Sequence, residues 1–253
     1  MAKSFDRVAD IYDDTRGHPE EAMAKVLDAI EGVLGKDGVA LDAGVGTGRF
    51  AHPLQARGHR VVGVDISRRM LEKAREKGTT DLALGDLCSL PFRDRAFDST
   101  ISVHVTHLIS TWRCALAEIA RVTSGQYISI ATHREDSPAE ELREYYRAVC
   151  RANGFEVRHP GMRERDLQEL LRPDISRPIA VYERLHDAKE HIDGYSNRIM
   201  SELWDVPEEI HEKAVRALRD RCAGSEHILA RERLTLIVWR ADRLRGFAAG
   251  GGA

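Results

Sequence analysis

The stretch Val39-Ala40-Leu41-Asp42-Ala43-Gly44-Val45-Gly46-Thr47-Gly48 decides the fold of this chain. Its first residues form a short apolar run of strand length, the three glycines make a turn, and the residues from Arg49 to Arg57 are compatible with a helix. Glycines in such a turn let the backbone adopt positive φ angles and approach a ligand closely. The pattern is therefore typical of a nucleotide-binding turn, although a tight strand-to-helix turn without a ligand has the same appearance.

Strand and helix patterns alternate on both sides of this turn. A helix is predicted over Ala22–Leu34, and further buried strands are predicted at Arg60–Val64, Leu82–Leu84, Ala96–Val105 and Tyr127–Ala131. Alternation at this spacing is typical of βαβ units and of a mostly parallel sheet that helices cover on both faces.

Two more strands are predicted after a region rich in helical patterns. They are Ile179–Leu185 and His227–Arg240, and together with the first five strands they give seven. The predicted fold class is α/β, doubly wound, with a mostly parallel seven-stranded sheet and a helical insertion after the fifth strand. Within that insertion, Ser137-Pro138-Ala139-Glu140 predicts a capping box, and Arg163-Glu164-Arg165-Asp166 predicts a solvated helix face.

Asp42 limits the kind of ligand that the glycine turn accepts. A carboxylate at about 4–6 Å from a pyrophosphate would repel it, whereas the same carboxylate suits an ammonium group, directly or through water. The spacing is also G-x-G-x-G, while the dinucleotide fingerprint is G-x-G-x-x-G/A and position 49 here is Arg. The turn therefore favours a cationic ligand over a dinucleotide.

Asp65 and Asp86 end the second and third predicted strands, so they are expected to share one edge of the sheet with Asp42. At a strand end, Asp65 can accept hydrogen bonds from two ribose hydroxyls, and Asp86 can accept one from an exocyclic amine. The alternatives are an Asp that precedes the helix cap Ser67 and an Asp in an ordinary loop. Together the three carboxylates describe an adenosine with an amine-bearing tail and no phosphate.

The composition excludes several classes of protein. Of the 253 residues, 42% are hydrophobic and 31% are charged, which excludes disordered and collagen-like chains. Lys plus Arg number 38 and Asp plus Glu number 41, and the resulting net charge of −3 disfavours nucleic acid or an anionic membrane as the main partner. The longest apolar runs, Val61–Val64 and Leu234–Trp239, are too short to span a bilayer, which needs roughly 20 residues.

The cysteines point to a reducing compartment. Cys88, Cys114, Cys150 and Cys222 are widely spaced and lack the pattern of a metal site, so buried reduced thiols, no metal and a cytoplasmic location are expected. Residues 1–30 contain several acidic residues and no apolar block, so no signal peptide is expected there.

The motifs, taken in order, resemble those of class I S-adenosylmethionine-dependent methyltransferases, in detail the ubiquinone/menaquinone-biosynthesis type of small-molecule enzyme. The residues that carry this likeness are Val39–Gly48, Val61–Asp65, Gly85–Leu87, Leu90–Phe92, Ala96–Asp98, Leu116–Val122 and, near the start, Tyr12–Arg16. The chain departs from that type at Val122-Thr123-Ser124-Gly125, where a Lys-Pro-Gly-Gly turn is usual. Beyond residue 133 the likeness is loose.

The resemblance implies S-adenosylmethionine as the cofactor and a role for each matching residue. Gly44, Gly46 and Gly48 would line its methionine part, Asp42 would serve its ammonium, and Asp65 would bind its ribose diol. Ile66 and Leu87 would flank the adenine beside Asp86. The remaining predicted cofactor contacts are Tyr12, Met70 and His104.

Methyl transfer from a sulfonium needs alignment and a dry site, and it needs a general base only when the acceptor arrives protonated. His107 and, second, His104 follow the fourth predicted strand and are the candidate catalytic residues. The alternative is that His104 only packs beside the cofactor and that His107 begins a helix.

The predicted organisation is a single methyltransferase domain with five parts. These are an N-terminal helical lid segment (1–34), the cofactor-binding core (35–132), a helical insertion that acts as an acceptor lid (133–226), the last strand (227–240) and a disordered tail (246–253).

The main hypothesis is methyl transfer to an O, N or C atom of a small-molecule acceptor, with no membrane or nucleic acid as partner. The alternatives are a nicotinamide-dependent dehydrogenase, a non-catalytic adenosylmethionine or adenosylhomocysteine binding protein, and a protein or RNA methyltransferase. The identity of the acceptor, the atom that is methylated and the oligomeric state stay open.

Overall fold

A computed structural model describes residues 17–250 of the chain. The described residues contain one seven-stranded sheet with the strand order β3-β2-β1-β4-β5-β7-β6. The strands are β1 (Val39–Ala43), β2 (Arg60–Asp65), β3 (Leu82–Leu84), β4 (Phe97–Ile101), β5 (Thr123–Arg134), β6 (Ile175–Asp187) and β7 (His227–Arg240). The predicted seven-stranded α/β fold is confirmed.

The first five strands are parallel to one another. β1 lies in the middle, paired with β2 on one side and β4 on the other, and the pairs β2–β3 and β4–β5 are parallel too. β7 runs antiparallel to β6, since the amide of Asp174 donates to the carbonyl of Val238 and that of Ala188 donates to Glu226. The carboxyl ends of β1, β2, β3 and β4 therefore meet at one edge of the sheet.

Helices connect and flank the strands of the described residues. They are α1 (Glu20–Glu31), α2 (Ala51–Ala56), α3 (Arg68–Glu76), α4 (Trp112–Val122), α5 (Pro138–Ala152), α6 (Glu164–Leu170), α7 (Ala188–Ser196), α8 (Glu208–Arg221) and α9 (Ala241–Gly250). Short 3-10 helices lie at Thr106–Leu108 and Ser201–Leu203. Within residues 17–250, no helix combines the length and apolar character that a membrane span needs.

The chain divides into two compact units, which differ from the predicted parts. One unit contains the residues up to Ala131 together with Pro160–Ala180 and the residues from Leu234 onward, and the other contains Thr132–His159 and Val181–Arg233. The predicted continuous insertion over 133–226 is therefore interrupted, because its middle segment belongs to the unit that holds the glycine turn. Of the predicted N-terminal lid (1–34), residues 1–16 lie outside the described part of the chain, and the remainder contains a helix over Glu20–Glu31.

The first unit has a dense apolar core on both sides of its parallel strands. Leu41, Ile101 and Leu116 are fully buried there, and the rings of Tyr127 and Trp239 stack with centroids 5.5 Å apart. The Trp239 indole N–H donates to the carbonyl of Leu171 at 2.7 Å, so its polar atom is satisfied inside the core. This packing joins β5 and β7 in the core of the first unit.

The second unit has its own core, built mainly from α5, α7 and α8. Its buried side chains include Tyr146, Ile192 and Leu218. The α5 helix begins at Pro138 as predicted, but the Ser137 side chain makes no capping hydrogen bond. The predicted capping box is therefore absent, and Glu140 instead has a carboxylate oxygen 3.9 Å from the Arg143 guanidinium.

The predicted disordered tail is wrong for residues 246–250, which continue the α9 helix. Leu244 and Phe247 are three positions apart and share one helix face, and the Phe247 ring stacks on Trp112 with centroids 6.4 Å apart. Small residues such as Ala favour a helix once apolar neighbours anchor it. Residues 251–253 lie outside the described part of the chain.

Candidate active site

The glycine turn between β1 and α2 has the positive φ angles that its sequence predicts. The φ angles are 84° at Gly44, 54° at Gly46 and 78° at Gly48. The reasons for glycine differ along the turn: a Cβ atom on Gly44 would lie 2.4 Å from Val105 Cγ2, and one on Gly48 would lie 2.3 Å from Thr79 Oγ1. A Cβ on Gly46 would have no described atom within 4 Å. The backbone at Gly46 is thus the part of the turn that faces open space.

Asp65, at the end of β2, holds the turn in place. One carboxylate oxygen accepts a hydrogen bond from the Gly46 amide at 2.9 Å, and the other accepts one from the Ser67 amide at 2.8 Å. Ser67 in turn caps α3, since its hydroxyl accepts a hydrogen bond from the Met70 amide at 3.1 Å. Asp65 therefore links the strand end, the turn and the next helix through one half-buried carboxylate.

Asp42 lies beneath the turn and is 2% exposed. Its carboxylate accepts a hydrogen bond from the Ala51 amide at the start of α2, at 3.2 Å. The pKa of Asp42 is raised to about 7, chiefly by burial and in smaller part by the negative charge of Asp65, while the hydrogen bond from the Ala51 amide opposes the shift. A positive charge close to Asp42 would favour its ionised form, which is compatible with the predicted role toward an ammonium.

The three residues predicted around an adenine, together with the predicted cofactor contact Met70, differ in their exposure. Ile66 is 42% exposed, and Asp86 is exposed with one carboxylate oxygen accepting the Cys88 amide at 2.8 Å. Leu87 and Met70 are buried, at 5% and 2% exposure, and both serve as core residues. Ile66 and Asp86 are therefore the two that present a surface to a ligand in this structure, and Tyr12 lies outside the described residues.

The two candidate histidines follow β4, which ends at Ile101 and not at Val105 as predicted. In the loop beyond β4, His104 adopts a left-handed conformation with a φ angle of 59°. His107 lies in the short 3-10 helix that follows, and the two imidazole rings have centroids 6.4 Å apart. Both half-buried rings thus lie together beyond the carboxyl end of β4.

Glu164 is a site residue that the sequence did not reveal. The predicted solvated helix face is wrong at this position, since Glu164 is 4% exposed and its carboxylate accepts the His104 amide at 3.0 Å. Burial raises the pKa of Glu164 to about 7, and the hydrogen bonds from His104 and Val105 oppose the shift. Nothing in a run of alternating charges distinguishes this glutamate from its exposed neighbours.

The cysteines depart from the expectation of four separated, buried thiols. Cys150 is buried, whereas Cys114 is exposed and its thiol donates to the Cys88 carbonyl at 3.5 Å. The α4 helix brings these two residues together across 26 positions of sequence. Across residues 17–250, no cluster of three or more His, Cys, Asp or Glu side chains is placed to hold a metal ion.

Comparison with protein families assigns the region around the glycine turn to a known family of domains. Residues 41–130 match the family model described as a methyltransferase domain. Over 102 residues the chain is 41% identical to malonyl-[acyl-carrier protein] O-methyltransferase of Erwinia pyrifoliae, covering 40% of this chain and 39% of the relative. Over 130 residues it is 36% identical to demethylmenaquinone methyltransferase of Renibacterium salmoninarum, covering 49% of this chain and 54% of the relative.

Solved structures show the same fold. An S-adenosylmethionine-dependent methyltransferase of Thermotoga maritima has a TM-score of 0.55 and 21% identity, with 94% of this chain and 98% of that chain covered. The YcgJ protein of Bacillus subtilis has a TM-score of 0.54 and 20% identity, with 88% and 98% covered. The curated relatives are matched over only about half of their length or less.

Proposed function

Residues 41–130 form a methyltransferase domain of the class I, S-adenosylmethionine-dependent kind, and from this premise we propose that the protein methylates a small molecule. The proposed reaction transfers a methyl group from S-adenosylmethionine to an oxygen, nitrogen or carbon atom of the acceptor by in-line displacement. When bound, the cofactor supplies the activated methyl carbon on its sulfonium. The protein supplies binding, alignment and exclusion of water.

The observation that carries this proposal is the open backbone at Gly46 beside the Asp65 carboxylate. Gly46 has a φ angle of 54°, and no atom of residues 17–250 lies within 4 Å of the place where its Cβ would be, so these residues leave room for a ligand directly against the peptide. Each oxygen of the Asp65 carboxylate accepts one backbone amide, from Gly46 and from Ser67, which fixes the carboxylate at the end of β2. A charged acceptor in this place suits the two hydroxyls of a ribose. The exposed side chain of Ile66, next in sequence, offers an apolar surface to the base.

The charges around the turn support a cofactor without phosphate. The negative charge of Asp65 contributes to the raised pKa of Asp42, so the two side chains are close, and a pyrophosphate at the turn would meet both. An amino acid tail with an ammonium group would be attracted by the same two carboxylates. This difference favours S-adenosylmethionine over the nicotinamide dinucleotide of the dehydrogenase alternative.

His107 is proposed as the general base for an acceptor that arrives protonated, with His104 as the second candidate. Both imidazoles lie beyond the carboxyl end of β4, at the edge of the sheet where Asp42 and Asp65 also lie. A neutral imidazole can accept the proton of an alcohol, phenol or ammonium in the transition state. An acceptor that is already deprotonated needs no such group.

The relatives support a small acceptor. The names of the two curated relatives state malonyl-[acyl-carrier protein] and demethylmenaquinone as what they methylate, so the domain serves chemically different acceptors. We therefore assign a small-molecule acceptor and no particular compound. The acceptor-lid role of residues 133–226 and the cytoplasmic location stay predictions.

The test has two parts. Isothermal titration calorimetry with S-adenosylhomocysteine measures cofactor binding, and NADH serves as the competing dinucleotide. Incubation with methyl-labelled S-adenosylmethionine and a cell extract, followed by mass spectrometry, detects the methylated product. We expect binding of S-adenosylhomocysteine, none of NADH, and a labelled small molecule. Binding without any labelled product would favour the non-catalytic alternative. A label on an amino acid side chain or on RNA would contradict the small acceptor, whereas a label on an acyl group carried by a protein would agree with it.

A further inference from the structure

A segment far along the chain lies against the loop that carries the two histidines. The Gly161 amide donates to the His107 carbonyl at 2.9 Å, and the Thr106 hydroxyl donates to the Met162 carbonyl at 2.6 Å. The His104 amide donates to a carboxylate oxygen of Glu164 at 3.0 Å. Residues 161–164, which we call the brace, therefore form three hydrogen bonds with residues 104–107.

The fit between the two segments is close at the first residue of the brace. A Cβ atom on Gly161 would lie 2.1 Å from the Thr106 carbonyl oxygen and 2.4 Å from that of Ile109. Only glycine allows the backbones to approach this closely. The contact is thus specific to this sequence and is not an accidental touch between two loops.

Within the brace, Glu164 is the residue whose substitution should destabilise the contact most. Its side chain is buried at 4% exposure, where an ionised carboxylate without hydrogen bonds would be strongly destabilising. The amides of His104 and Val105 supply those hydrogen bonds. Removing the carboxylate would in turn leave the His104 amide, in its left-handed conformation, without its acceptor.

The loop that Glu164 holds also touches the glycine turn. The two methyl groups of Val105 lie so close to Gly44 that a Cβ there would be 2.4 Å from one and 2.8 Å from the other. The position of Val105 therefore limits where the turn can lie. A continuous chain of contacts leads from Glu164 through the Val105 backbone and side chain to Gly44.

We propose that Glu164 is a positioning residue of the cofactor site, which sets the place of the glycine turn through His104 and Val105. The proposal rests on the proposed function, because it assumes that the turn binds S-adenosylmethionine. Glu164 touches neither cofactor nor acceptor in this role. Its effect on binding is indirect and should follow the hydrogen bonds that its side chain can accept.

The experiment compares three variants by calorimetry with S-adenosylhomocysteine, at a temperature where each is folded by circular dichroism. Glu164→Ala removes the acceptor, Glu164→Gln retains an acceptor oxygen, and Glu169→Gln is the matched control at an exposed position of the same helix. We expect Kd to rise about ten-fold or more in Glu164→Ala, as for loss of a hydrogen bond to a charged group. Glu164→Gln should restore most of the affinity, and Glu169→Gln should equal the wild type.

A second variant keeps the proposal testable if Glu164→Ala fails to fold. Gly161→Ala leaves the carboxylate intact but forces the brace away from the Thr106 carbonyl. We expect it to weaken S-adenosylhomocysteine binding in the same direction, since the loop and Val105 must shift.

The outcomes separate the two proposals. A wild-type protein that does not bind S-adenosylhomocysteine contradicts the proposed function. A wild type that binds, together with unchanged Kd in Gly161→Ala and in every folded Glu164 variant, overturns the positioning role alone. A lower melting temperature with unchanged Kd has the same meaning, because a purely structural residue would affect only folding.

Discussion

The Asp65 carboxylate accepts a hydrogen bond from the Gly46 amide at 2.9 Å, across 19 positions of sequence. The parallel pairing of β1 with β2 makes this possible, because it places the end of β2 beside the turn that follows β1. The residue proposed to bind the ribose therefore also fixes the backbone proposed to bind the methionine part. Two functions of the site depend on one side chain.

Replacing Asp65 by Ala should weaken binding of S-adenosylhomocysteine by more than ten-fold. The change removes a charged acceptor for the ribose hydroxyls, worth about 1.5–3 kcal/mol per hydrogen bond, and it also releases the Gly46 amide. Calorimetry on the folded variant measures the change. Glu72→Gln, at an exposed position of the neighbouring helix α3, is the control and should bind normally. An Asp65→Ala protein with wild-type affinity would remove this residue from the proposed site.

Gly46→Ala and Gly48→Ala should have different effects. The methyl group on Gly46 would enter open space, so we expect a stability loss of about 1 kcal/mol from the positive φ angle and a large loss of ligand affinity. The methyl group on Gly48 would collide with Thr79 Oγ1 at 2.3 Å and should mainly destabilise the fold. Urea unfolding and calorimetry on both variants separate the two effects. Equal affinity in Gly46→Ala and the wild type would show that no ligand lies against this peptide.

Part of this site could be predicted from the sequence, because it depends on short stretches of chain. Asp42 and Asp65 end strands that the apolar runs identify, and parallel strands bring their carboxyl ends to one edge. Burial was harder to predict, since Ile66 and Leu87 are both apolar residues next to a strand end, yet only Leu87 turns into the core. Glu164 could not be found, because its partner His104 is 60 positions away and no periodic pattern links them.

Stability should depend on pH through the two buried carboxyl groups. Burial raises the pKa values of Asp42 and Glu164 to about 7, above the values near 4 in an unfolded chain, so between these pH values the folded state binds more protons. Each group therefore lowers the free energy of unfolding as the pH rises from about 4 to 7, by up to about 1.4 kcal/mol per pH unit. Above pH 7 the effect levels off.

Asp42→Asn tests this pH dependence without changing the shape of the side chain. The free energy of unfolding of the variant, relative to that of the wild type, should increase between pH 5 and pH 7 and then stay constant. Urea unfolding at half-unit pH steps measures it. Asp37→Asn, at an exposed position before β1, is the control and should show a constant difference. A constant difference for Asp42→Asn as well would contradict the raised pKa of Asp42.

Once a labelled product identifies the acceptor, His107→Gln should lower kcat by about 10²–10⁴-fold if the acceptor carries a proton that must leave. The affinity for S-adenosylhomocysteine should stay unchanged, because His107 is proposed to act on the acceptor alone. His104→Gln should lower kcat less and weaken cofactor binding, since the His104 side chain is a predicted cofactor contact, whereas its backbone amide, which donates to Glu164, is retained. His52→Gln, on α2, is the control. A His107→Gln enzyme with full kcat on a protonated acceptor would assign the base to another residue.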